Sequence, residues 1–296
     1  MSVGAESLRR ARSFALSDTA FRRMALANVV MLIVIVATGA TVRLTGSGLG
    51  CEHWPGCEPH HFEPKSFHSY IEFGNRVVAF FTILVTLATA TAAWLSSAAR
   101  PLRWVAAAIF VGTLAQAPLG AITIHYHLNP WLVLSHFLLS IVVLTLAVGL
   151  AVEVWPRPLD EVPSWVKAGA VVVWLSLCVL IVSGTLATAA GPHPGSVVVR
   201  RLWSFYPAVY WHVRATAVFG VSFAILLFVL VRAHSRHVRG ALLVLGLLAL
   251  QMTIGEVQYR THLPWWLVLV HVTVATTLWA AATAFVYSLW RPMRHA

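Results

Sequence analysis

The stretches LNPWLVLSH (128–136) and LPWWLVLVH (263–271) are near copies of one another, and each ends an apolar run on a histidine. A glycine stands 16 residues before each histidine: Gly120 before His136 in LGAITIHYHLNP, and Gly255 before His271 in IGEVQYRTHLP. Working outward, residues 119–136 align with 254–271 without a gap, at an offset of 135. Further upstream, VATGATVRLTG (36–46) is similar to VSGTLATAAG (182–191), which pairs Gly39 with Gly184 and Gly46 with Gly191. The chain therefore reads as one unit written twice.

The solvent of that unit follows from composition. Hydrophobic residues make up 59% of the 296 and charged residues 10%, with a mean hydropathy of +0.78. Soluble domains are nearer about half apolar and about a quarter charged. Eight apolar runs approach the roughly 20 residues that cross a bilayer: 25–43, 70–95, 104–124, 131–153, 165–189, 207–231, 240–258 and 264–288. The predicted fold is an all-α polytopic membrane protein of eight transmembrane helices, arranged as two four-helix bundles. Each unit has an even number of spans, so both insert the same way, related by a pseudo-two-fold axis along the membrane normal. The expected divisions are a tail at 1–24, a first bundle at 25–153, a linker at 154–164 with three prolines, a second bundle at 165–288 and a tail at 289–296.

Basic residues predict the orientation. One side would carry Arg9, Arg10, Arg12, Arg22, Arg23, Arg100, Arg103, Arg157, Lys167, Arg232, Arg236, Arg239, Arg291 and Arg294. The other would carry Arg43, Lys65, Arg200, Arg201 and Arg260. The positive-inside rule then puts both termini in the cytoplasm of a cell-membrane protein. The net charge of +11 is mostly a topology signal, and no soluble basic face supports a nucleic-acid partner. The first apolar run is too long for a cleavable signal peptide and lacks a small-residue cleavage site. Glu6 and Asp18 argue against a transit peptide.

Polar groups inside spans are costly, which makes them functional candidates. His136 and His271 sit early in spans 4 and 8, His212 early in span 6, and Glu72, Asn75 and Arg76 at the start of span 2. All four spans run inward from the outer face, so these groups share a depth within about 10 Å of the outer boundary. A single such histidine is as readily an interhelical hydrogen-bond partner as a ligand. As a set, His212 and His271 open two spans of one bundle, where neutral imidazoles could take both axial positions of a haem iron. No Cys or carboxylate cluster accompanies them, which favours porphyrin over a bare metal. Arg76 and Arg214 are either partners of haem propionates or snorkelling interfacial side chains. Trp131, Trp265 and Trp266 read as interfacial belt, Cys178 as an apolar filler, and Glu256 as a partner of Arg260. Cys51 and Cys57 flank five residues with a Pro-Gly bend in an outer loop, close enough for a disulfide.

These segments together carry a family resemblance. TGATVRLTGSGLGCEHWPGCEP (38–59), IEFGNR (71–76), LGAITIHYHLNPWLVLSH (119–136) and VQYRTHLPWWLVLVH (257–271) resemble the haem A synthase family over about residues 25–290. The resemblance implies an oxidoreductase that converts the C8 methyl of haem O to a formyl group by two successive hydroxylations. It implies haem b as cofactor on His212 and His271, haem O as substrate on His136 and position 75, and Glu72 as the catalytic residue. Its cysteine pair maps onto Cys51 and Cys57, and haem O synthase and an electron donor are the expected partners.

One position departs from the family. Its motif reads Glu-x-x-His-Arg, and here it reads Glu72-Phe73-Gly74-Asn75-Arg76. An amide oxygen is a poor iron ligand, so either His136 alone holds the substrate iron, or a water or another side chain fills the gap. His125 and His127 are loop residues and weaker substitutes. Glu72, three residues before Asn75, shares its helix face. It could relay protons or stabilise a cationic carbon, or simply cap the start of span 2. The rival reading is a di-haem b-type electron-transfer subunit that does no porphyrin chemistry; it should be six-coordinate at both irons.

Overall fold

The computed structural model describes residues 18–51, 53, 56–57, 64–155, 161–196 and 201–290. Most of the expected N-terminal tail, Arg157 in the linker, Arg200 and the basic C-terminal end from residue 291 lie outside the described residues.

Among the described residues eight long helices follow one another: α1 (Asp18–Leu44), α2 (Phe67–Leu95), α3 (Arg100–His125), α4 (Pro130–Val154), α5 (Ser164–Ala190), α6 (Phe205–Arg232), α7 (Val238–Arg260) and α8 (Trp265–Trp290). All eight are long and apolar enough to cross a membrane. A helix satisfies its own backbone groups, which is what a segment in hydrocarbon requires. The largest departure from the expected spans is α1, which starts seven residues before position 25. Its extra turns are held from inside: Phe21 and Ala25 are buried, and Ser97 Oγ donates to Asp18 Oδ1 at 2.7 Å.

Local sequence sets the helix ends. Ser66 caps α2 in a reciprocal box: its hydroxyl accepts from the Ser69 N–H at 3.1 Å, and Ser69 Oγ accepts from the Ser66 N–H at 2.8 Å. Asn129 caps α4 through the Trp131 N–H, with Pro130 pre-set at the first helical position. The α3–α4 and α7–α8 turns use the same backbone path. His127 and Leu128, and again His262 and Leu263, all have φ between 51° and 62°. In each turn the leucine N–H reaches back across the helix end, Leu128 to Thr123 O and Leu263 to Gln258 O, both at 2.8 Å. Two adjacent left-handed residues without a glycine are strained. That the strain recurs at matching positions marks the sequence repeat as a structural one.

Within the first half, α1 packs on α2 and α4, and α3 packs on the same two; in the second half, α5 and α7 each pack on α6 and α8. The halves meet where α4 touches α8, α1 touches α8 and α4 touches α5. α6 shows how an apolar helix sorts its faces. Ala215, Phe219, Phe223, Leu226 and Leu230 are buried, whereas Val218, Val221, Ile225 and Phe228 are each at least 60% exposed. Water exclusion cannot drive this packing in lipid, so close contact and interhelical hydrogen bonds carry it. Ser176 and Ser222 bond across α5 and α6 at 3.1 Å, and Trp279 Nε1 donates to Thr145 Oγ1 across the halves at 3.0 Å. Each such bond is worth about 0.6 kcal/mol in a membrane.

Candidate functional site

A cavity of about 1720 Å³ runs through both halves and is lined by side chains from all eight helices. Small-molecule pockets usually hold roughly 300–1,000 Å³, so this volume exceeds what one ligand needs. Glu72, Asn75, Arg76, His136, His212 and His271 all line it. His125 and His127 are exposed and do not.

The paired glycines of the sequence stand behind the candidate ligands. A Cβ on Gly184 (α5) would meet His212 Cε1 at 3.0 Å, and one on Gly255 (α7) would meet His271 Cε1 at 3.2 Å. A Cβ on Gly120 (α3) would meet His136 Cε1 at 3.5 Å, and one on Gly39 (α1) would meet Asn75 Oδ1 at 3.9 Å. Each half thus has two positions where an odd-numbered helix offers a glycine and the next helix lays a side chain against it. Three of the four side chains are imidazoles; the fourth is the amide of Asn75.

The residues that orient these groups were not singled out from sequence. Thr38 and Ser183, which immediately precede Gly39 and Gly184, occupy corresponding positions. Thr38 Oγ1 donates to Asn75 Oδ1 at 2.7 Å, and Ser183 Oγ lies 3.1 Å from His212 Nδ1. The signal was present in the aligned pairs Thr-Gly and Ser-Gly. Gln116 and Gln251, four residues before Gly120 and Gly255, form a second such pair with unequal roles. Gln251 Nε2 lies 2.9 Å from His271 Nε2, whereas Gln116 Nε2 donates to Ser140 Oγ at 2.8 Å and to the His136 carbonyl at 3.3 Å. Ser140 diverts Gln116 from the ring, and the matching residue in the second half, Ala275, offers no such acceptor. His136 Nδ1 and His271 Nδ1 are buried with no hydrogen-bond partner among the described residues.

Glu72 is only 4% exposed and both carboxylate oxygens are engaged. Oε2 accepts from the Cys51 N–H at 2.9 Å, and Oε1 pairs with Arg76 at 2.5 Å. Arg76 also donates to the His53 carbonyl at 2.7 Å and to the Gly56 carbonyl. The loop between α1 and α2 is closed by the Cys51–Cys57 disulfide, with Cα atoms 4.4 Å apart, and it docks on this ion pair. Helix capping is therefore not Glu72's task, since Ser66 and Ser69 perform it. Arg214 is largely exposed and stacks over the Tyr210 ring. Glu256 and Arg260 form an exposed pair at 2.5 Å, and Cys178 is a partly buried free thiol.

Among the described residues, eight helices long and apolar enough to span a membrane surround a cavity lined by four glycine-backed positions, which defines a multi-pass membrane protein. The chain belongs to the COX15-CtaA family of cytochrome oxidase assembly proteins, whose model matches residues 22–66 and 60–283. It is 33% identical over 106 residues to a heme A synthase of Geobacillus kaustophilus (strain HTA426), which covers 35% of this chain and 33% of that protein. It is 32% identical over 135 residues to a heme A synthase of Bacillus pumilus (strain SAFR-032), covering 45% and 44%. These matches span between a third and a half of the relatives' lengths. A heme A synthase of Shewanella oneidensis aligns across 88% of this chain and 94% of its own length, at 23% identity.

Proposed function

We propose that the protein is a haem A synthase, oxidising the C8 methyl of haem O to a formyl group by two successive hydroxylations and loss of water. The observation that carries this reading is the unequal pair of donor sets. At its glycine-backed positions the second half sets two imidazoles against the cavity, and the first half sets one imidazole and one amide. Two imidazoles suit a resident haem b, and one suits a substrate iron that is bound and then released.

The residues fit a porphyrin. A glycine behind each donor leaves the cleared wall that a flat ring and its ligand need, and the Nδ1 atoms of His136 and His271 are buried without a partner among the described residues. Among the described residues no three His, Cys, Asp or Glu side chains converge as a bare metal ion would require. His212 and His271 would hold haem b, which supplies electron transfer when bound. Ser183 orients His212, and Gln251 has to withdraw from His271 Nε2 before that nitrogen can ligate.

In the first half, His136 would hold the iron of haem O. Glu72 is the catalytic group of this reading: a buried carboxylate at the cavity wall that accepts a proton or stabilises positive charge developing at the oxidised carbon. Cys51 N–H and Arg76 fix its two oxygens, and the Cys51–Cys57 disulfide closes the loop that supplies the first of them. The two halves act as pseudo-two-fold related bundles with both termini cytoplasmic. An electron donor and haem O synthase are the partners this chemistry calls for.

Pigment extraction from membranes with and without the protein, resolving haems B, O and A, tests the proposal. Haem A should appear only with the protein, at the expense of haem O. An unchanged ratio of O to A in membranes that contain the folded protein would overturn it.

A further inference from the structure

Among the described residues three arginines line the cavity, and their surroundings differ. Arg76 is paired with Glu72, and Arg214 is largely exposed against Tyr210. Arg43 is partly buried in the last turn of α1, one turn beyond Gly39. Its Nη1 donates to the His193 carbonyl at 2.9 Å and, more weakly, to the Thr188 carbonyl at 3.4 Å. Both carbonyls belong to the second half, at the end of α5 and just after it. The loop wraps the stem closely: a Cβ on Gly195, where φ is +102°, would lie 3.5 Å from Arg43 Cγ. The Gly48 N–H to Gly195 carbonyl bond at 3.1 Å ties the same loop to the first half.

Among the described residues Arg43 has no carboxylate partner, and its recorded bonds use Nη1 alone. The unused Nε–H and Nη2–H form the side-on fork that matches two carboxylate oxygens. A guanidinium drawn out of water, held in place by carbonyls and given no counter-charge, is a costly arrangement unless an anion completes it. Its position one turn outward of the Gly39–Asn75 layer suits an acid group at the outer edge of a ring ligated at His136.

We propose that Arg43 is a carboxylate-binding residue of the cavity, pairing with a propionate of the porphyrin held in the first half. This rests on reading the first half as a porphyrin site. The carbonyls of Thr188 and His193 keep the guanidinium oriented, so the second half's outer loop helps to build the first half's binding site.

The test uses the full-length protein purified with its haem b. It is titrated with zinc protoporphyrin IX, which accepts one axial ligand, and with the dimethyl ester of the same compound, followed by the Soret shift. The wild type should bind the free acid about ten- to a hundredfold more tightly than the ester. Arg43→Gln should weaken only the free acid and erase that preference, and Arg43→Lys should keep part of it. An unchanged haem b spectrum in both variants reports an intact fold. Equal weakening of both probes by Arg43→Gln, or a preference that survives it, overturns the proposal. His136→Ala separates the levels. If it weakens both probes while Arg43→Gln spares the preference, the first-half site stands and the Arg43 assignment falls. If it changes neither probe, both fall.

Discussion

Ser183 Oγ lies 3.1 Å from His212 Nδ1 and 2.8 Å from the Leu180 carbonyl. A serine hydroxyl has one proton, and the carbonyl can only accept it. With the Ser183 proton on that carbonyl, the ring nitrogen is the donor toward Ser183, which leaves the lone pair of a neutral imidazole on Nε2, the tautomer a haem iron takes up. Ser183→Ala should keep the low-spin spectrum of haem b but weaken its retention by about 10- to 100-fold, the usual cost of losing a group that orients a metal ligand. Haem titration of the stripped protein measures this. Retention equal to wild type would mean that Ser183 plays no part in holding the ring.

His212 and His271 should be individually indispensable to that spectrum. His212→Ala or His271→Ala is expected to abolish the low-spin signal of the resident haem. Gly184→Ala should damage the same signal without touching a ligand, because its Cβ would stand 3.0 Å from the His212 ring. Optical and EPR spectra of the purified variants decide the point, and a normal signal in both histidine variants would rule out the assignment.

Glu72→Gln keeps an acceptor for the Cys51 N–H and removes the charge paired with Arg76. Haem b should stay bound while haem O accumulates and haem A falls. His136→Ala should give the same pigment pattern by removing the histidine proposed to ligate the substrate iron. Normal haem A production by Glu72→Gln would reduce the glutamate to an anchor for the α1–α2 loop.

Asn75→His would restore the residue usual in the family, and the pocket is ready for it. Thr38 and Gly39 lie beside position 75 as Ser183 and Gly184 lie beside His212, and the Thr38 hydroxyl can turn to accept from a ring N–H. The new imidazole should ligate, shift the bound substrate haem toward low spin and slow turnover. Adding Gly39→Ala should reverse the spectral shift, whereas Gly39→Ala alone should be silent, since its Cβ would sit 3.9 Å from Asn75 Oδ1. If Asn75→His turns over as fast as wild type, an open iron position is not what the asparagine provides.

Replacing both Cys51 and Cys57 by serine should lower stability by about 2 kcal/mol, the low end expected for so short a closed loop. The larger effect should fall on haem A yield, because the loop that positions Glu72 through the Cys51 N–H loses its closure. Thermal unfolding and pigment extraction on the same preparation separate the two, with haem b content as the control. Unaltered haem A yield would show that Glu72 is held well enough without the disulfide.

Much of this architecture was legible in the chain itself. In hydrocarbon every backbone group must be satisfied within its own segment, so an apolar run of about 20 residues has to be a helix. That reasoning located eight spans, and the repeat located His136, His271 and their glycines. A six-residue separation around a Pro-Gly bend likewise announced the Cys51–Cys57 bond. How the helices are rotated against one another was not legible. Lipid-facing and buried faces are both apolar, as Val218 and Phe219 on α6 illustrate, so periodicity carries little information about which side turns inward. Tertiary packing alone decided that Gly184 backs His212, that Thr38 holds Asn75 and that Glu72 lies beneath the Cys51 N–H. It also decided that Arg43 crosses to carbonyls some 150 residues away. Each of these is a contact between separate segments, and the first two sit where a glycine lets two helices come close.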